Sequence, residues 1–140
     1  MTIQGAVNAQ LETLVEITVR GAGGRSDQTI RAIIDTGFDR YLSLPPQTVA
    51  ELDLPYAGKE PFDAFGGVTV VLNIHHAIVD FGGVEQGISC IAADNPPLIG
   101  MALLRGYELC LKVADGGTVT LRKSALRKMR RRVKPRTPTS

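Results

Sequence analysis

The stretch RAIIDTGFDRYLSLP, Arg31 to Pro45, decides how the rest of the chain is read. An apolar segment, Ala32-Ile33-Ile34, runs directly into the ionisable Asp35 and then into Thr36 and Gly37. An isolated carboxylate is expensive to take out of water. One delivered by an apolar strand must find hydrogen-bond donors, hold a proton or perform chemistry. The triplet Asp-Thr-Gly does not choose among these by itself, because a strand-to-turn junction whose Asp accepts backbone N–H bonds has the same composition.

Outward from this stretch the pattern is that of short strands. Upstream, Leu11, Thr13, Val15, Ile17 and Val19 alternate with Glu12, Leu14, Glu16, Thr18 and Arg20, the period-2 signature of a half-buried strand that ends at Gly21-Ala22-Gly23-Gly24. Thr29 to Ile34 reads as a second strand, apolar on both faces near its end, which carries Asp35 towards the centre of the fold. Tyr41 to Leu44 is a third, closed by Pro45-Pro46, with Pro46 placed to begin a helix of one or two turns through Leu52. Phe62 to Gly67 ends in a glycine pair and reads as a hairpin tip, returning as a long strand, Val68 to Phe81. Gly82-Gly83 turns the chain into Val84 to Ala92. A loop (Asp94 to Pro97), a short helical segment (Met101 to Arg105) and a last strand pair, Tyr107–Val113 and Thr118–Leu121, complete the folded part. Many short strands, glycine-rich turns and little helix predict an all-β fold with a closed, barrel-like sheet.

A chain of 140 residues with 44% hydrophobic content fits one domain and a real core. The net charge of +2 hides a segregation. All 14 acidic residues lie at or before Asp115, while nine of the 16 basic ones lie between Arg122 and Arg136. The expected division is therefore a domain over residues 1–121 and a basic tail over 122–140, disordered or partly helical, where Leu126, Met129 and Val133 recur at helical spacing. The N-terminus shows no basic segment followed by an apolar one, and no run has the length of a membrane span, so a soluble cytoplasmic protein is expected. Cys90 and Cys110 lack metal-site spacing and read as buried strand thiols; His75 and His76, neighbours on a strand, point to opposite faces and do not share a metal.

Three segments together resemble the retropepsin-like aspartic proteases of the small, single-lobe prokaryotic type. They are Ile33-Ile34-Asp35-Thr36-Gly37, then Leu42-Ser43-Leu44-Pro45, then Leu98-Ile99-Gly100-Met101-Ala102-Leu103-Leu104, in the family's order and spacing across residues 11–121. The resemblance implies a closed acid-protease barrel with a flap hairpin, and hydrolysis of peptide bonds without metal or cofactor. Asp35 would be catalytic, supported by Thr36, Gly37, Ile99 and Gly100. Phe38, Asp39, Phe65, Gly66 and Gly67 would contact substrate or form the flap. Met101 stands where retroviral members carry an arginine that pairs with the aspartate matching Asp39, and Ala102 replaces a commonly acidic position.

The sequence contains one Asp-Thr-Gly and no Asp-Ser-Gly. The resemblance therefore implies a homodimer in which Asp35 from each subunit completes a dyad across a two-fold axis. A peptide or protein substrate follows from that reading, and a polyanion or acidic partner fits the tail. Two alternatives stay open at this point: a non-catalytic dimeric scaffold of the same fold that binds peptides or partners, and a nucleic-acid-binding protein whose β domain only pairs the tails. The tail is expected to be an appendage. Deleting residues 124–140 should leave the thermal unfolding of the domain unchanged and abolish most salt-sensitive retention on a polyanionic matrix; a truncated protein that no longer folds would overturn this.

Overall fold

Alternating burial organises the chain into ten strands and two short helices over the described residues. In chain order they are β1 (Thr2–Val7), β2 (Thr13–Val19), β3 (Gln28–Ile34), β4 (Leu42–Leu44), helix α1 (Pro46–Glu51), β5 (Tyr56–Asp63), β6 (Thr69–Phe81), β7 (Val84–Ala92), β8 (Leu98–Ile99), helix α2 (Met101–Leu104), β9 (Tyr107–Leu111) and β10 (Thr118–Lys123). This computed structural model describes residues 2–123 apart from the Phe65 side chain; the basic segment from residue 124, with the helix or disorder expected there, lies outside the described residues.

Six strands close on themselves. β2, β3, β8, β4, β7 and β6 follow one another as hydrogen-bonded neighbours, and β6 returns to β2 through Thr18↔Asp80 and Val19↔Val79. The closed, all-β barrel expected from the sequence is thus present. β1, β10 and β9 continue the sheet beyond β2, and β5 continues it beyond β6. The barrel is filled by the inward residues of these strands, among them Val15, Ile17, Val19, Leu42, Leu44, Val79, Phe81, Ile99 and Leu121. Each such side chain contributes about 1.5–3 kcal/mol by leaving water. Helix α1 starts at Pro46 as its missing N–H predicts, and buries Val49.

Several elements differ from the sequence expectation, each for a local reason. β1 alternates in burial but not in residue type, because Gly5 occupies one of its inward positions; a side chain there would run into the Leu14 carbonyl of β2. β2 begins at Thr13, since Leu11 turns out of the strand at φ 60° and is 58% exposed. β5 was not anticipated because Pro61 and Gly58 interrupt it; as an edge strand paired only with β6 it tolerates both. Cys90 is buried in β7, and burial pushes its thiol up to about 12, but Cys110 is exposed on β9 rather than buried.

The decisive piece of topology is β8. Only two residues long, it runs parallel to β3 (Ile33↔Leu98, Ile34↔Ile99) and antiparallel to β4 (Leu42↔Ile99, Ser43↔Leu98), so it lies between two strands that are consecutive in sequence. The connection from β3 to β4, residues 35–41, must therefore arch over β8 and the residue after it. That residue is Gly100. A Cβ there would lie 2.1 Å from the Arg40 carbonyl oxygen and 2.7 Å from that of Phe38, both backbone atoms with nowhere to go.

Gly100→Ala should accordingly lower the denaturant midpoint by the equivalent of about 1–3 kcal/mol, as overpacking does. Gly37→Ala, whose new Cβ meets only the Asp35 Oδ1 at 3.3 Å, should leave the midpoint nearly unchanged. Equal losses in the two variants would refute the close-approach argument.

Candidate active site

Asp35 follows the last residue of β3, where the apolar strand ends and the arch begins. Its backbone N–H donates to the Ile99 carbonyl at 2.9 Å, continuing the β3–β8 ladder by one step, and its carbonyl accepts from the Phe38 N–H at 3.1 Å. The carboxylate is fixed from the other side: the Gly37 N–H donates to Oδ1 at 2.9 Å. Both backbone groups and one oxygen of Asp35 are thereby held, while the second oxygen has no such restraint among the described residues. Asp35 is half-buried in the single chain, with Thr36 and Gly37 exposed beside it. The apolar strand delivers the carboxylate to a rim of the barrel, so no full desolvation penalty falls on the isolated chain.

The arch is held down by the start of α2. The first N–H groups of a helix have no partner inside it. Here the Met101 N–H donates to the Phe38 carbonyl at 2.7 Å and the Ala102 N–H to the Arg40 carbonyl at 3.2 Å, while the Gly100 N–H donates to the Tyr41 carbonyl at 3.1 Å. The segment Leu98-Ile99-Gly100-Met101 is thus a backbone template for the arch. Ile99 is fully buried beneath it.

Phe38 leaves the arch inwards and joins a small second cluster with Ile74, Ile91, Ala93, Phe62 and Leu72. Asp39 points out, its side chain 94% exposed, and its nearest cation is Arg40 at 3.9 Å. That arginine reaches on to Glu60 of β5, Nη1 to Oε2 at 2.8 Å, with its guanidinium 5.0 Å from the centre of the Phe62 ring. The sequence does not single out Arg40 or Glu60, and it reads Phe62 only as the start of the hairpin tip, whereas Phe62 lies in β5. The signal lay in Gly58, Glu60 and Phe62 alternating with Lys59, Pro61 and Asp63, an alternation that the burial of β5 follows.

β5 and β6 form the expected flap-like hairpin. At its tip Gly66 and Gly67 take φ of 81° and 76°, conformations that favour glycine, and the Ala64 N–H donates to the Val68 carbonyl at 2.6 Å. The backbone of Phe65 belongs to this tip; its side chain is not among the described atoms. The structure therefore brings Asp35, Thr36, Gly37, Ile99 and Gly100 into one bonded unit. Gly66 and Gly67 lie at the end of a separate arm.

A groove of about 530 Å³ lies elsewhere, over β6 and β7 between Tyr41, Pro55, His76 and Ser89, and is not lined by Asp35. Among the described residues no group of three His, Cys, Asp or Glu side chains is placed to hold a metal ion, and His75 Nδ1 is engaged with the Leu54 carbonyl at 2.9 Å. No helix is long and apolar enough to cross a membrane.

No protein-family model matches the sequence, and no curated protein does. Among solved structures the chain is similar to a retropepsin-like aspartic protease from Rickettsia conorii, at 17% identity, with 89% of this chain and 93% of that one covered and a TM-score of 0.56. With the six-strand closure and the β8 insertion, that likeness over nearly the whole chain establishes that this protein has the retropepsin-like fold.

Proposed function

We propose that the protein is an aspartic endopeptidase that works as a homodimer. The observation that carries this reading is the Asp35 carboxylate: held by Gly37 through one oxygen, half exposed at the rim of the barrel, and present once per chain. In this reading two copies of Asp35 meet across a two-fold axis and share one proton, since like charges at hydrogen-bond distance do not both ionise. The ionised carboxylate takes a proton from a bound water as it attacks the scissile carbonyl. The protonated one donates a hydrogen bond to the carbonyl oxygen, on which charge develops.

The chain's own residues divide the remaining work. Gly37 fixes one oxygen of each carboxylate, so the other is left to face the water. Thr36, exposed beside Asp35, is positioned to brace the partner loop. Ile99 and Gly100 keep the arch at a constant height under load from a substrate. The β5–β6 hairpin, with Gly66 and Gly67 at its tip, covers the peptide. Any pH profile belongs to the pair of carboxyls and not to either one.

Asp35→Asn is nearly isosteric and keeps an acceptor for the Gly37 N–H, so the fold should survive, yet an amide neither accepts the water proton nor shares one. Mixing is the sharper test. Wild type refolded with an equal amount of Asp35→Asn protein should retain about a quarter of the activity of the same total amount of wild type, from random pairing of subunits. Retention of about one half, or cleavage by Asp35→Asn alone, would refute the shared dyad. Binding of peptides by the wild type without cleavage would instead favour the scaffold reading.

A further inference from the structure

The outer half of the β5–β6 hairpin has little to hold it. β6 pairs with β7 only from Asn73 onward (Asn73↔Ala92), so residues 60–63 and 69–72 form a ribbon of two strands with no third neighbour. A two-stranded ribbon is marginally stable and has no fixed direction of its own. The pairing is also irregular between Tyr56 and Gly58, where φ is 127°, which loosens the ribbon's root on the β5 side. Val70 and Val71 on it are exposed and add nothing to its packing.

Two residues of the arch, Arg40 and Phe38, tie this arm to it, and Arg40 makes the directional contacts. Arg40 pairs with Glu60 at 2.8 Å, stacks over Phe62 at 5.0 Å, and has its own carbonyl fastened by the Ala102 N–H at 3.2 Å. Beneath it, Phe38 of the arch and Phe62 and Leu72 of the arm pack against one small cluster. One end of the clamp is thus fixed to the template under Asp35 and the other to the middle of the ribbon. The planar guanidinium suits this double duty, because its edge bonds a carboxylate while its face lies on a ring.

We propose that Arg40 is a positioning residue that sets the angle of the β5–β6 ribbon relative to the Asp35 arch, and so governs capture of the peptide rather than its hydrolysis. The second half of this statement rests on the endopeptidase reading; the clamp itself does not. Arg40 and Glu60 are each 44% exposed, so the clamp is salt-sensitive and modest in strength. Its effect appears as a shift in how often the ribbon opens, without a change in the barrel.

The test uses three proteins of full length, Arg40→Met, Glu60→Gln and the double variant, beside wild type. Amide hydrogen exchange is read for Glu60, Phe62, Asp63 and residues 69–72, with β2 and β3 as internal reference. Each single variant should exchange roughly two- to fivefold faster in the ribbon alone, and the double variant no faster than Arg40→Met, because both changes break the same link. Raising the salt should speed ribbon exchange in wild type and leave Arg40→Met unaffected. On a peptide substrate KM should rise by a similar factor with kcat retained. Unchanged ribbon exchange, additive effects in the double variant, or a fall in kcat at constant KM would overturn the proposal. A wild type that cleaves nothing would refute the endopeptidase reading, and the exchange measurement would still decide the clamp.

Discussion

The structure depends on the insertion of β8 between β3 and β4. Two residues, Leu98 and Ile99, complete a ladder that would otherwise have a gap, and in doing so they force the chain from Asp35 to Tyr41 to pass over them. The contact is so close that only hydrogen fits at the α-carbon of residue 100. In return, the Gly100 N–H and the first N–H groups of α2 find their acceptors in that crossing, and the Asp35 N–H finds its own in Ile99 of β8. A loop would ordinarily satisfy its backbone with water and move freely. This one is fastened at Asp35, Gly37, Phe38, Arg40 and Tyr41 by hydrogen bonds within the protein.

A carboxylate on such a loop is oriented in advance. Reorientation of groups during a reaction raises the barrier, and preorganised groups avoid that loss. The same rigidity explains why the arm facing it is built in the opposite manner. The arch is braced from beneath by backbone, whereas the β5–β6 ribbon is braced only by side chains, through Arg40, Glu60 and the aromatic contacts of Phe62. Backbone bracing holds a geometry against load; side-chain bracing allows it to give way and return.

How much of this was legible in the sequence follows from which interactions are local. β2, β3, β6 and β7 were readable because alternation or apolar runs record burial residue by residue. The Asp35 unit was readable too, since Asp-Thr-Gly and Leu-Ile-Gly-Met are short runs whose spacing matches a known pattern. β1 and β5 were not, because Gly5, Gly58 and Pro61 are permitted there by neighbours distant in sequence and locally read as breaks. The exposure of Cys110 depends on β9 being the last strand of the sheet, and strand order leaves no local mark. The Arg40–Glu60 contact spans twenty residues and joins two side chains that separately look like ordinary surface charges. Such pairs become visible only when topology brings the arch and β5 together.

The irregular composition of β5 has a consequence beyond the site. A hairpin with one open edge and exposed valines is a template on which a second hairpin can add, and repetition of that event builds fibres. Pro61 removes a donor from the strand, the irregularity at Ala57 disrupts its repeat, and Lys59 places a charge on its exposed side. Pro61, which helps to hide β5 from a reader of the sequence, is thus also a feature that disfavours edge-to-edge pairing at this strand.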